Sequence, residues 1–182
     1  MRKLIICFIG IFVMLFSFLA CDFFGRKVFI RYIPLDDEET IYATGEELST
    51  SLLISIENND IEAFKSHFCD FVLTTEDYSN GEKYVFDTFL GKVQSIERLG
   101  YSTGDRFSPN EKSKHASISY SVITDEKEYV MLITFYTYYK QNSEYENKIY
   151  EFKILNKEGA PQTGYFSDMG QRYGIYYPGW LD

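Results

Sequence analysis

The spacing of hydrophobic positions changes twice along this chain and divides it into three parts. Leu4 to Ala20 is a nearly unbroken apolar run, preceded by Arg2 and Lys3 and closed by Cys21. From Thr44 to Leu90 apolar residues recur every three or four positions, and after Gly91 they alternate with polar ones. A spacing near 3.6 predicts helices and a spacing of two predicts strands, so helices precede a sheet.

Thr44 and Glu47 have the spacing of a capping box, which opens a first helix whose face carries Leu48, Leu52, Leu53 and Ile56. Asn58-Asn59-Asp60 ends it, and Asp60 caps a second helix with Ile61, Phe64, Phe68 and Phe71 on one face. His67 neighbours that stripe as a core-edge histidine, and Cys69 lies on it as a buried thiol. Ser79 and Glu82 form another capping box. It opens a third helix through about Leu90, with Phe86, Phe89 and Leu90 inside and Tyr84 or Val85 at its margin.

Lys92 to Tyr101 reads as a strand turned by Ser102-Thr103-Gly104-Asp105. From His115, Ala116, Ile118, Tyr120 and Val122 alternate with Ser117, Ser119 and Ser121, the pattern of a strand with one polar face. Glu128 to Lys140 is apolar or aromatic on both faces, which marks a central strand. Tyr150, Phe152 and Ile154 alternate in a further strand, and the Gly- and Tyr-rich tail 160–182 supplies a last short strand or a flap.

The N-terminal run changes the picture most. A charged start, an apolar stretch and Phe18-Leu19-Ala20-Cys21 follow the order of a bacterial lipoprotein signal, with Cys21 as the lipidated residue. An uncleaved single-span anchor is the alternative, because the run lies at the short end of what crosses a hydrocarbon core. Both readings place the rest of the chain on the extracytoplasmic face of the cell membrane. Residues 1–21 are then the signal, 22–39 a tether and 40–182 one α+β domain. The acidic run Asp36-Asp37-Glu38-Glu39 lacks the alternating spacing and glycine of a calcium loop and reads as a solvated segment.

Removing residues 1–21 takes away Arg2 and Lys3 and no acid, which moves the formal net charge from −9 to −11. Such a domain is repelled by nucleic-acid phosphates, so no nucleic-acid partner is expected. Cys69 alone remains as a thiol, which allows no internal disulfide, and with two histidines no zinc site is expected. Aromatic residues make up 18% of the chain, and the tyrosines crowd the half that reads as sheet.

Three N-terminal helices before four to five long antiparallel strands resemble the nuclear-transport-factor-2-like cone. The stretch LLISIENNDIEAFKSHF, from Leu52 to Phe68, resembles the opening helix pair of that superfamily. With the signal and the closing GIYYPGW, from Gly174 to Trp180, the chain resembles a family of small lipoproteins of Gram-positive bacteria assigned to it. The resemblance implies helices packed on a curved sheet, a pocket at the wide end of the cone, and functions ranging from isomerases to ligand-binding and accessory domains.

The expected function is a tethered, non-enzymatic binding or accessory module for a small apolar ligand or a cell-envelope protein, working without a cofactor. Tyr84, Tyr120, Phe135, Tyr150 and Phe152 are candidate lining residues, with Trp180 near an entrance. A self-associating scaffold is the alternative, its homodimer hiding a strand face that carries Tyr136 and Tyr138. An enzyme is the third reading. It would need a carboxylate such as Asp87 beside tyrosine donors, and no Ser-His-Asp set, phosphate loop or metal spacing accompanies it.

Overall fold

The first apolar stripe builds a longer helix than its capping box predicts. In the computed structural model α1 spans Glu38–Glu57, so Thr44 lies inside the helix instead of at its cap. Ile41 and Gly45 extend the buried stripe backward, and Glu38 and Glu39 in the first turn complement the positive end of the helix dipole. The structure describes residues 38–107, 112–159 and 173–177; Cys21, Trp180 and the apolar run lie outside them. No helix among the described residues is long and apolar enough to cross a membrane.

Asn59, at φ 53°, turns the chain out of α1, and Asp60 accepts from Ala63 N at 3.0 Å to cap α2, Ile61–Ser66. The expected second helix stops there rather than running to Phe71. His67 and Cys69 use their backbone to bridge Ile149, which donates to His67 O at 2.9 Å and accepts from Cys69 N at 3.0 Å. Pairing with a distant strand overrides local helical spacing. A single turn, α3, follows over Asp70–Leu73, and α4 spans Tyr78–Thr88. Asp77, not Ser79, holds the cap position of α4. Val85 is fully buried instead of marginal, while Leu90 lies beyond the helix and is exposed.

The sheet has the order β1-β2-β3-β4-β5, over Val93–Phe107, Lys112–Thr124, Glu128–Tyr139, Ile149–Asn156 and Gly174–Ile175. The first four pair antiparallel and β5 pairs parallel to β4, so the sheet is mixed. The fold is therefore α+β, with four α-helices among the described residues rather than three. All precede the sheet; short 3₁₀ turns at Ser143–Tyr145 and Lys157–Gly159 follow β3 and β4. The turn expected at residues 102–105 is strand instead. Ser102 to Asp105 pair without a break with Ser117 to Lys114, and Gly104 leaves room for the His115 ring, which a β-carbon there would displace.

Alternation along β2 sends Ala116, Ile118, Tyr120 and Val122 toward the helices, as the sequence predicts. They join Ile133 and Phe135 of β3 and Phe152 and Ile154 of β4 to form a core with Leu52, Phe64, Phe68, Val72 and Val85. Gly45 lets α1 approach closely, since a β-carbon there would overlap the Ile118 side chain. β3 is buried on both faces, in agreement with its reading as a central strand.

Candidate functional site

Pairing places side chains of directly opposed residues on the same face of a sheet. On the face turned away from the helices, three rows cross the strands. Gly104, His115 and Tyr136 form one row; Ser102, Ser117, Thr134 and Glu151 form the second; Gly100, Ser119, Leu132 and Lys153 form the third. In these rows glycines and serines floor the β1–β2 half beside His115, while Tyr136, Glu151 and Lys153 stand in the β3–β4 half with Thr134 and Leu132.

Those polar groups are linked. Ser117 Oγ donates to Thr134 Oγ1 at 3.1 Å, Thr134 Oγ1 donates to Glu151 Oε2 at 3.0 Å, and Lys153 Nζ lies 2.9 Å from Glu151 Oε1. Glu151 and Lys153 are only 3% and 2% exposed. Burying two charges costs several kcal/mol per ion, a penalty that mutual attraction and hydrogen bonds offset only in good geometry.

An aromatic arc borders this network. The Tyr136 and Tyr150 rings lie 4.5 Å apart, Tyr150 meets Tyr173 at 5.5 Å, and Tyr173 meets Phe71 of α3 at 5.1 Å. His115 stands edge-on to Tyr150 at 6.1 Å. The Arg106 guanidinium sits 5.7 Å from the Tyr173 ring and donates to its hydroxyl. Arg106 belongs to β1, and Tyr173 immediately precedes β5 at the opposite edge. Five strands span about 19 Å at ordinary spacing, so this contact closes over the face between the edges.

Electrostatics fix the protonation of the arc. Burial, then the Arg106 charge, holds His115 below its ordinary value, against the opposing pull of Asp105 and Glu151. The imidazole is neutral at pH 7 and offers one donor and one acceptor. Burial and Glu151 raise Tyr150, and burial and Tyr173 raise Tyr136, so both remain phenols that donate. The face therefore presents flat rings, phenolic donors, a guanidinium and a neutral imidazole around a buried ion pair. Among the described residues, no group of three His, Cys, Asp or Glu side chains is arranged to hold a metal.

The candidate lining residues divide between environments. Tyr120, Phe135 and Phe152 share the helix-covered core, where Phe152 packs on Phe64 and Phe68 at about 6 Å. Tyr150 turns to the opposite face and belongs to the arc. Tyr84, half-buried on α4, faces Tyr176 at 6.4 Å, apart from both groups. Tyr136, expected on an exposed face with Tyr138, is buried in the arc. Asp87 sits on the surface of α4 paired with Lys83. Burial pushes the Cys69 thiol up to about 12, which removes thiolate chemistry at neutral pH.

Sequence reasoning missed Arg106, Glu151, Lys153 and Tyr173. A signal existed for two of them. Glu151 and Lys153 occupy the alternate positions on either side of Phe152, and a strand covered on both faces buries both sets. Tyr150 joins the Glu151 side because the β3–β4 register shifts beside it. Arg106 and Tyr173 are joined only by tertiary structure.

Helices on one face of a mixed sheet, with a polar and aromatic network buried on the other, define an α+β domain of the helix-on-sheet class. The chain belongs to the family described as Domain of unknown function (DUF5104), whose model matches residues 51–157. That span begins inside α1 and ends just after β4, so it holds Arg106, His115, Glu151 and Lys153 and leaves out Tyr173. No curated protein and no solved structure matches the chain.

Proposed function

We propose that this protein is a lipid-anchored extracytoplasmic domain that binds a small ligand rather than transforming one. Phe18-Leu19-Ala20-Cys21 supports the anchor, attached at Cys21 on the outer face of the cell membrane. Helices preceding an antiparallel meander support the nuclear-transport-factor-2-like cone as its fold. The observation that carries the binding reading is the Glu151–Lys153 pair, buried on a sheet face bordered by Tyr136, Tyr150 and Tyr173. An ion pair of this kind is weak support for stability, whereas apolar walls with a few convergent polar groups are usual at ligand sites. The ligand has a flat, largely apolar body that lies against Tyr150 and Tyr173. Its polar end takes hydrogen bonds from Arg106, His115 and the phenols.

Native mass spectrometry of the anchored protein, extracted in mild detergent from its own cells, tests this reading. The expected spectrum carries an excess mass that disappears on denaturation and is lost in a Tyr173→Ala variant. A spectrum showing only the lipidated chain, or the same excess on Tyr173→Ala, would overturn it.

A further inference from the structure

β1 is a 15-residue edge strand that, among the described residues, pairs only with β2. Nearly every residue of its first half is exposed, and Ile96, Leu99 and Tyr101 add apolar area to it. Ile54 of α1 continues that area across a groove of about 190 Å³, whose lining includes Leu53, Val93 and Ile96. An exposed edge of this length is a template for another strand.

The charge order along the edge identifies the strand that fits. A bulge falls between Arg98 and Gly100, which leaves Leu99 without a partner on β2 and shifts the alternation of faces there. Arg98 and Tyr101 consequently share the helix-covered face, where both meet the Tyr42 ring. A second copy of β1 running antiparallel about a dyad at Ser102 sets Tyr101 opposite Thr103 and Gly100 opposite Gly104. Leu99 then bulges from both strands. Beyond it Arg98 faces Asp105 and Glu97 faces Arg106, each opposed pair lying on one face of the joined sheet. The dyad doubles both pairs, so the edge is complementary in charge to itself.

We propose that β1 is a homodimer interface, joining two sheets edge to edge through four cross-strand ion pairs. The interface shares Arg106 with the ligand reading, because Glu97 of the second copy lies beside it, while the Arg98–Asp105 pairs and the dyad at Ser102 do not rest on that reading. An in-register parallel alignment of β1 instead sets each of these charges against its own kind. The occupant is therefore a second copy of this chain.

Charge reversal tests the register in the full chain in mild detergent, by sedimentation velocity. Wild type is expected to be a dimer. Glu97→Arg alone and Arg106→Glu alone each set like charges together twice and are expected to weaken the dimer at least about tenfold. An equimolar mixture of the two variants restores every pair and is expected to give a heterodimer. Oxidation of Ser102→Cys, on the dyad, is expected to link two chains, while Ser119→Cys on β2 and the wild type stay unlinked. The disulfide result stands even if a charge variant fails to fold. A monomeric wild type, a dimer indifferent to both reversals, folded variants whose mixture stays monomeric, or an unlinked Ser102→Cys would each overturn the proposal.

Discussion

The two faces of one sheet solve different problems. Toward the helices, β2, β3 and β4 present Ile118, Tyr120, Ile133, Phe135, Phe152 and Ile154, packed against Leu52, Phe64 and Phe68. Toward the other side the same strands present Ser117, Thr134, Glu151 and Lys153, joined by hydrogen bonds and an ion pair and bordered by tyrosines. Both faces are buried along β4. Burial of apolar area explains the first, at roughly 25 cal/mol per Å². It does not explain the second, where charges have left water. Under the binding reading proposed above, stability and function are separated across the thickness of a single sheet.

The largest effects should come from the helix face. Phe152→Ala empties a site between Phe64 and Phe68 and should cost about 3–5 kcal/mol in chemical denaturation. Loss of one partner on the other face should approach that size for a different reason. Lys153→Met removes the cation 2.9 Å from buried Glu151 and should cost about 3–5 kcal/mol by the same measurement. A smaller effect, about 1 kcal/mol, is expected for Asp60→Ala, which removes the cap on Ala63 N.

The faces should also differ in pH response. His115 on the polar face and His67 beside the core both have folded values held low, chiefly by burial, and secondarily by Arg106 and Lys148 respectively. A histidine depressed in the fold favours the folded state above its unfolded value, near 6.5. That contribution is lost as pH falls from about 6.5 toward the folded values. Denaturation midpoints should therefore drop between pH 7 and pH 5, and His115→Gln with His67→Gln should flatten the slope.

The smallest effect belongs to Tyr120. Its hydroxyl and Ser49 Oγ are buried without a partner in bonding geometry, although Ser49 lies near enough to counter part of the rise that burial imposes on Tyr120. Tyr120→Phe should change stability by about 0.5 kcal/mol or less, or raise it, because no formed hydrogen bond is lost.

Periodicity made the helix-covered core legible: Leu52, Phe64, Ile118, Phe135 and Phe152 stand where spacing puts them. Local signals failed where distant contacts decide. The Thr44 and Ser79 capping boxes yielded to helices that begin earlier, and the turn signal at Ser102–Asp105 yielded to a continuous ladder with β2. The second helix broke because the backbone around Phe68 pairs with Ile149, 81 positions away. The polar face was half visible, as the serines of β2. Its charges were hidden because β4 resembles a half-exposed strand until a second covered face is known.

The most direct test of this separation is the denaturation midpoint of the double variant Glu151→Leu with Lys153→Met. Removing both charges together avoids leaving one member of the pair buried without the other. If the pair serves binding, the double variant should be as stable as the wild type or more stable. A loss of more than about 2 kcal/mol relative to the wild type would show that the pair holds the fold together, and would contradict the account.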